Sequence, residues 1–253
     1  MGIINVSPDS FSGDGLDSVD MALNRARQFV VEGVDIIDVG GESTRPGSDP
    51  ISVEEELRRV IPVLERLAKE ITLPLSIDTY KFEVASQALD ADARIINDIW
   101  GLKVEPRLAE LAAKKGVPII LMSNQRDKPQ RNIVSAVLSD LKRSVDLALD
   151  TGVAWENIIV DPGIGFGKTL EQNLELVRRL DELKVLGRPI LLGASRKSMI
   201  GLVLDSPSEQ RIEGTAASIA IGISKGADIV RVHDVREMVR VCRMSDAIIR
   251  GQS

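Results

Sequence analysis

The chain has 253 residues, of which 43% are apolar, 28% charged and 3% aromatic, with a formal net charge of −6 and a pI near 5.1. That balance supplies a sizeable core and gives no general attraction to nucleic acid or to an anionic membrane, and the scarcity of rings excludes a stacking platform for single strands. Cys242 is the single cysteine, so no internal disulfide forms, and neither a basic-then-apolar leader nor a run of about 18 apolar residues occurs; a cytoplasmic setting is expected.

Short β-rich apolar runs and amphipathic stretches alternate along the whole chain. Strand 2–6 precedes helix 18–32, strand 34–39 precedes helix 52–70, strand 73–77 precedes helix 82–89, and strand 93–96 precedes helix 105–115. The second half repeats the pattern, with strands 117–122, 157–160, 188–192 and 228–232 followed by helices 134–151, 170–186, 209–225 and 235–250. Such alternation means βαβ units and parallel pairing. Eight units with no Pro/Gly/Ser-rich linker point to one domain over 1–253, a closed (β/α)8 TIM barrel rather than an open sheet, with the active site at the C-terminal ends of the strands. A core poor in rings and rich in Ile, Val, Leu and Ala suits its layered interior. Gly33-Val34, Gly116-Val117, Gly152-Val153 and Gly226-Ala227 read as helix stops before strands, an architectural repeat without functional weight.

Asp161-Pro162-Gly163-Ile164-Gly165-Phe166-Gly167-Lys168 follows directly on Ile158-Ile159-Val160 and spells a strand, a site loop and a helix start. It is not a phosphate-binding P-loop, which needs four residues between its first Gly and a Gly-Lys-Ser/Thr ending. By itself it reads better as a plain βα turn with a capping Asp. The other strand ends add weight: Asn5, Glu42-Ser43-Thr44-Arg45, Asp78, Asn97-Asp98, Ser123-Asn124, Ser195-Arg196-Lys197-Ser198, and Arg231 with His233. In a barrel these converge on the face where active sites are built.

Seven segments then carry a family resemblance. Asn5-Val6-Ser7-Pro8-Asp9-Ser10-Phe11-Ser12, Gly41-Glu42-Ser43-Thr44-Arg45-Pro46-Gly47, Ser76-Ile77-Asp78-Thr79, Ile96-Asn97-Asp98-Ile99, the octapeptide, Ser195-Arg196-Lys197-Ser198 and Arg231-Val232-His233-Asp234-Val235 together resemble the dihydropteroate synthase family of pterin-binding barrels. The resemblance implies condensation of 6-hydroxymethyl-7,8-dihydropterin pyrophosphate with 4-aminobenzoate, a Mg²⁺ requirement, a homodimer, and competition of sulfonamides with 4-aminobenzoate.

It also implies residue roles. The pterin would meet Asp78, Asn97, Asp161 and Lys197 through polar atoms, with Gly193 beside them and Ile99, Met122 and Phe166 on its faces. Pyrophosphate would fall to Arg231, His233 and Asn5, with Asn5 as the protein ligand to Mg²⁺. Phe11, Thr44, Arg45, Pro46 and Ser198, with Asp14 nearby, would serve 4-aminobenzoate, in loops that close over it. Asp78, Lys197 and Arg45 would be the catalytic set.

Other readings stay open. Asp98 reads equally as a turn cap, and Ser43 and Ser195 as small packing residues. His233 is the single histidine and is expected at the anion; Cys242 is expected in the core, and Arg126-Asp127-Lys128 in a solvated loop. The family usually shows Met-His-Met-Gln-Gly after strand five, where this chain has Met122-Ser123-Asn124-Gln125-Arg126. The chain also begins almost at its first strand, where relatives generally carry a lead-in segment. Two further functions fit a pterin site: a methyltransferase acting on methyltetrahydrofolate, which has no pyrophosphate to hold, and a binding protein without turnover, which need not keep Lys197, Arg231 and Thr44-Arg45 together.

Overall fold

In the computed structural model of the chain the described residues are 1–6, 15–43, 49–126 and 132–251, with the main chain alone for 15–18. The apolar runs form strands β1 Gly2–Asn5, β2 Ile37–Gly40, β3 Leu75–Asp78, β4 Ile95–Asp98, β5 Ile119–Met122, β6 Ile158–Asp161, β7 Leu191–Leu192 and β8 Ile229–Val230. β1 to β6 pair in chain order in one parallel sheet, and β7 pairs with β8 in a second. Parallel bridges from Val160 to Ile190 and from Gly2 to Val232 join the two sheets on either side. The strands therefore form the expected ring. Most strands start two or three residues later than their apolar runs, because the first residues of several runs, Val34, Ala93 and Val117, donate their main-chain N–H groups to Phe29 O, Ala88 O and Ala112 O at the preceding helix ends.

The helices are α1 Gly15–Glu32, α2 Val53–Glu70, α3 Phe82–Asp90, α4 Arg107–Lys115, α5 Ile133–Asp150, α6 Leu170–Arg178, α7 Ser198–Leu204, α8 Ile212–Ser224 and α9 Val235–Arg250. Side chains cap several starts: Ser52 Oγ accepts Glu55 N–H, Asn132 Oδ1 accepts Ser135 N–H, and Thr169 and Gln172 form a reciprocal capping box ahead of α6. Two expected helices differ. Residues 170–186 divide into α6 and a 3₁₀ segment Leu180–Leu186, where Leu180, Leu183 and Leu186 recur every third residue and so share one face at three residues per turn. Residues 209–211 lie outside α8, which begins at Ile212, and the helix start expected at Ser198 is a short separate helix, α7, outside the eight amphipathic stretches. The four helix-stop glycines, Gly33, Gly116, Gly152 and Gly226, all have positive φ, as their role requires.

Strand residues alternate between two environments. Outward positions such as Ile37, Val39 and Ile77 pack on Phe29, Leu64 and Leu67, and Ile119, Leu121 and Ile158 pack on Leu108, Leu141 and Leu176. Inward positions at the N-terminal end, Met1, Ile95, Ile120, Ile159 and Leu191, form a buried plug with Ile36 and Ile229. Burying each such side chain contributes about 1.5–3 kcal/mol. Further toward the C-terminal ends the inward positions become mostly polar: Asp38, Asn97, Asp161 and Arg231 stand one pleat beyond the plug, with Asn5 and Asp78 near them and Met122 and Gly193 between. The apolar plug thus floors a charged chamber and lowers the dielectric beneath it. Among the described residues no helix is long and apolar enough to cross a membrane.

Candidate active site

The chamber is organised around Arg231, one residue beyond β8. Its Nε donates to Asp38 Oδ2 at 2.6 Å and its Nη2 to Asp78 Oδ2 at 2.6 Å, crossing the barrel interior to β2 and β3. Asn97 of β4 donates its Nδ2 to the same Asp38 oxygen at 3.2 Å. Asp38 is fully buried and its Oδ1 has no hydrogen-bond partner, so the group is a strongly desolvated cluster and not a surface ion pair. Burial raises the pKa of Asp78, against the pull of Arg231, while burial alone would lower Arg231 and the Asp38 and Asp78 carboxylates hold it protonated.

Asp161 ends β6, buried, with Oδ1 accepting the Gly163 N–H at 2.7 Å. Gly163 has φ +69, and a Cβ there would collide with the Ser123 carbonyl oxygen, so this turn requires glycine. The free oxygen of Asp161 faces Gly193, where a Cβ would stand 3.8 Å from Oδ2. Lys197 reaches in from the loop after β7, its Nζ 4.3 Å from the Phe166 ring centroid. Burial and then Arg231 lower its pKa to about 8, with Asp161 and Asp78 pulling the other way. Ile99, Met122 and Phe166 form one buried apolar cluster, with Tyr80 and Trp100 packed against it. Carboxylates and an amide from β2, β3, β4 and β6, the cations Lys197 and Arg231, and one apolar wall are thereby brought together at the C-terminal ends of the strands.

His233, after β8, faces Ser195 Oγ through Nδ1 at 3.1 Å, and its N–H donates to the same hydroxyl at 3.2 Å. Burial, then Arg231 and Arg196, lower its pKa to about 3, which favours the neutral ring at neutral pH. Ser195 is therefore a partner of His233 and more than a small packing residue. Arg196, with φ +56, forms a two-pronged ion pair with Asp234, tying the loop after β7 to the one after β8. Ser198 opens α7 and is exposed.

Other expected residues have purely local partners. Asp98 accepts the Trp100 and Leu102 N–H groups at 2.8 and 2.6 Å, so of its two readings the turn cap describes its bonds. Ser123, at the position of the usual histidine, is buried, and its Oγ donates to Asp140 Oδ2 at 2.8 Å; Asn124 donates Nδ2 to Ile99 O at 3.2 Å. Both face the protein's own framework. Arg126 was expected to be merely solvated, yet its guanidinium lies 4.8 Å from the Phe166 centroid. Cys242 is half-buried against the core formed by α1, α2 and α9. Phe11, Asp14, Thr44, Arg45 and Pro46 lie outside the described residues, as do Asp127 and Lys128. Asp38, Tyr80 and Lys168 were missed. Asp38 had a signal, being a carboxylate on the opposite strand face from Ile37 and Val39, which pack outward against the helices.

Among the described residues no group of three or more His, Cys, Asp or Glu side chains could hold a metal ion. Asn5 Oδ1 and Asp78 Oδ2 instead look onto the same glycine: a Cβ at Gly40 would lie 3.8 and 3.7 Å from them. A single amide oxygen beside a carboxylate suits Mg²⁺ that keeps its waters and is carried by substrate phosphates, and does not suit a resident ion in a closed protein cage.

Comparison with known proteins agrees with this geometry. Residues 1–233 match the family model described as pterin binding enzyme. A dihydropteroate synthase from Clostridium beijerinckii is 53% identical over 252 residues, covering 99% of this chain and 94% of that protein. Dihydropteroate synthase from Clostridium difficile, solved in the presence of pteroic acid, superposes with a TM-score of 0.96 at 49% identity, covering 99% of this chain and 96% of that one. The Xanthomonas albilineans enzyme, solved with 4-aminobenzoic acid, gives a TM-score of 0.93 at 41% identity, covering 98% and 92%. The chain belongs to the dihydropteroate synthase family of pterin-binding enzymes.

Proposed function

We propose that this barrel joins 6-hydroxymethyl-7,8-dihydropterin pyrophosphate to 4-aminobenzoate, releasing pyrophosphate and 7,8-dihydropteroate, as one pterin-binding domain over 1–253. The observation that carries the reading is the convergence of Asp78, Asn97 and Asp161 opposite Lys197 and Arg231 around one apolar wall, in a chain of this family. An aminopyrimidine edge offers N–H donors, so a buried acceptor set matches it and would reject a ring lacking them. Asp161 takes the 2-amino and N3 protons, Asn97 the neighbouring edge, and Asp78 lies toward N8, while Lys197 donates to the ring carbonyl. Ile99, Met122 and Phe166 cover its faces, beside Gly193.

As the carbon–oxygen bond to pyrophosphate breaks, positive charge develops on the pterin methylene and spreads into the ring. Fixed carboxylates in a dry chamber stabilise that charge more than they stabilise the ground state, and Asp78 is nearest to the role. The arylamine nitrogen then forms the new bond and loses a proton to solvent. Arg231, with His233 and Asn5, receives the leaving group. Asn5 would hold a Mg²⁺, which when bound would supply charge neutralisation for the departing pyrophosphate. Phe11, Thr44, Arg45, Pro46 and Ser198 serve 4-aminobenzoate, with Arg45 in the catalytic set beside Asp78 and Lys197.

A homodimer is supported by exposed apolar residues on three adjacent helices: Leu202, Val203 and Leu204 of α7, Ile221 of α8, and Met244, Ile248 and Ile249 of α9. A patch of that kind on an otherwise charged protein marks an interface. The acidic pI and single cysteine suit a cytoplasmic enzyme. Pyrophosphate release from the pterin substrate, measured with and without 4-aminobenzoate, tests the reading. Release that requires 4-aminobenzoate and yields dihydropteroate is expected; no dihydropteroate from either mixture would refute it.

A further inference from the structure

Lys168 closes the octapeptide motif, yet the reaction outlined above gives it nothing to do. Its Nζ donates to three main-chain carbonyl oxygens: Ser123 at 2.9 Å, Gly163 at 2.8 Å and Phe166 at 3.1 Å. An ammonium has three N–H bonds, so each is used. The first acceptor lies in the loop after β5 and the other two in the loop after β6, so one side chain bonds two site loops at their roots. None of the three acceptors is a carboxylate. The arrangement resembles a monovalent cation caged by carbonyls more than an ion pair.

What those carbonyls belong to gives the contact its meaning. Gly163 carries the N–H that fixes the Asp161 carboxylate, and Phe166 carries the ring that walls the apolar side of the chamber. Phe166 N–H also donates to Gly163 O at 3.1 Å, so Lys168 and Phe166 share that oxygen and the turn is held from both ends. Asp161 itself is joined to the other loop, its carbonyl accepting the Ser123 N–H at 2.9 Å. The loop has no slack: side chains at Gly163 and Gly167 would collide with the main chain of Ser123 and of Gln125-Arg126. We propose that Lys168 is a positioning residue for pterin recognition, locking the loops after β5 and β6 together through these three carbonyls so that Asp161 and Phe166 stand where the pterin needs them. This rests on the pterin-binding reading of the site.

The cost of holding the cation there is visible in its surroundings. Burial pulls the Lys168 pKa down to about 7, with Asp161 and Asp140 favouring the charged form and Lys103 and Lys197 opposing it. A neutral amine keeps two N–H bonds and turns a lone pair toward the third carbonyl, so deprotonation breaks the three-way lock. A residue retained merely to fill space would be apolar and would carry no such penalty.

The test is Lys168→Met in the full chain, with calorimetric titration of 6-hydroxymethyl-7,8-dihydropterin, steady-state kinetics and hydrogen exchange. Leaving buried carbonyls without donors and the loops untied should weaken pterin binding by about tenfold or more. The KM for 4-aminobenzoate at saturating pterin substrate should stay within about twofold, because Phe11, Thr44, Arg45, Pro46 and Ser198, assigned to that substrate, belong to other loops than the two that Lys168 ties. Exchange should accelerate in peptides covering 123–126 and 161–168 and not in the strands. A merely structural role would lower the melting temperature without altering the dissociation constant of the folded protein. If the methionine variant does not fold, Lys168→Gln, which keeps two donors, carries the test with an expected loss of about threefold. Wild-type pterin affinity in a folded variant of either kind overturns the proposal. Failure of the wild-type protein to bind pterin would instead sink the functional reading beneath it, so the two failures are distinct.

Discussion

Arg231 and Asp38, 193 positions apart in the chain, meet at 2.6 Å inside the barrel, and the same Asp38 oxygen also holds the Asn97 amide. One buried carboxylate on β2 therefore sets the direction of both a cation and an amide that face the chamber. Asp38→Asn keeps the shape but removes the charge, and its new N–H groups compete with those it should accept. Loss of a hydrogen bond to a charged group costs about 1.5–3 kcal/mol, so pterin pyrophosphate binding should fall by roughly tenfold to a hundredfold. Asp90→Asn, at the exposed pair with Lys115, serves as the control and should leave binding unchanged. Equal affinities for both variants would show that Asp38 has no part in holding the site.

Asp161→Asn is nearly isosteric, but it turns one acceptor into a donor facing the pterin's own N–H groups. Its Oδ1 already accepts from Gly163, so the amide must choose between the turn and the ligand. Pterin affinity should drop by at least about tenfold, with a cooperative melt retained. Titration alongside circular dichroism checks this; near-normal affinity in the folded variant would remove Asp161 from pterin recognition.

The folded state holds His233 neutral, with its pKa lowered to about 3 by burial and by the neighbouring arginines. Unfolded, the ring titrates near its ordinary value of about 6.5. Between those values the unfolded chain binds the extra proton. The contribution is therefore complete above about pH 6.5 and is lost as pH falls toward about 3, at no more than about 1.4 kcal/mol per pH unit. His233→Gln keeps a partner for Ser195 but cannot titrate, so its stability should fall less steeply below pH 6.5. Urea unfolding of both proteins at several pH values measures the slopes, and parallel slopes would contradict the assignment.

Ile248 is 70% exposed on α9, amid the other apolar residues of α7, α8 and α9. A glutamate there would bury an unpaired charge in the proposed dimer and cost nothing in the monomer. Ile248→Glu should run as a monomer in light scattering, while the wild type runs as a dimer. Identical masses for the two would place the interface elsewhere.

Much of this was legible before any coordinates. Strand and helix alternation, helix-stop glycines and the polar residues after each strand are local signals, and Asp78, Asn97, Asp161, Lys197 and Arg231 do meet at one end of the barrel. What stayed hidden depends on contacts distant in sequence. Asp38 joins the site only because Arg231 crosses the ring to reach it, and Lys168 meets its carbonyls only because the loop after β5 passes over it. The 3₁₀ segment after α6 was hidden for a different reason. Leucines at 180, 183 and 186 satisfy a helical pattern and a three-residue turn almost equally, and the backbone chose the second.

The ring is stitched unevenly, and the stitching sorts the charges. Asp38, Asp78, Asn97 and Asp161 all stand on the six-strand sheet, whereas Lys197, Arg231 and His233 follow the two strands that adjoin it through single bridges. The acidic wall is the broad, continuous part of the barrel, and the basic wall is a narrow panel set into its side. Arg231, gripping Asp38 and Asp78 from the opposite panel, acts as a crossbar between them. A ligand that touches both walls adds a second crossbar to a ring that the Val160–Ile190 and Gly2–Val232 bridges have already closed, so substrate binding braces the barrel across its two narrowest seams.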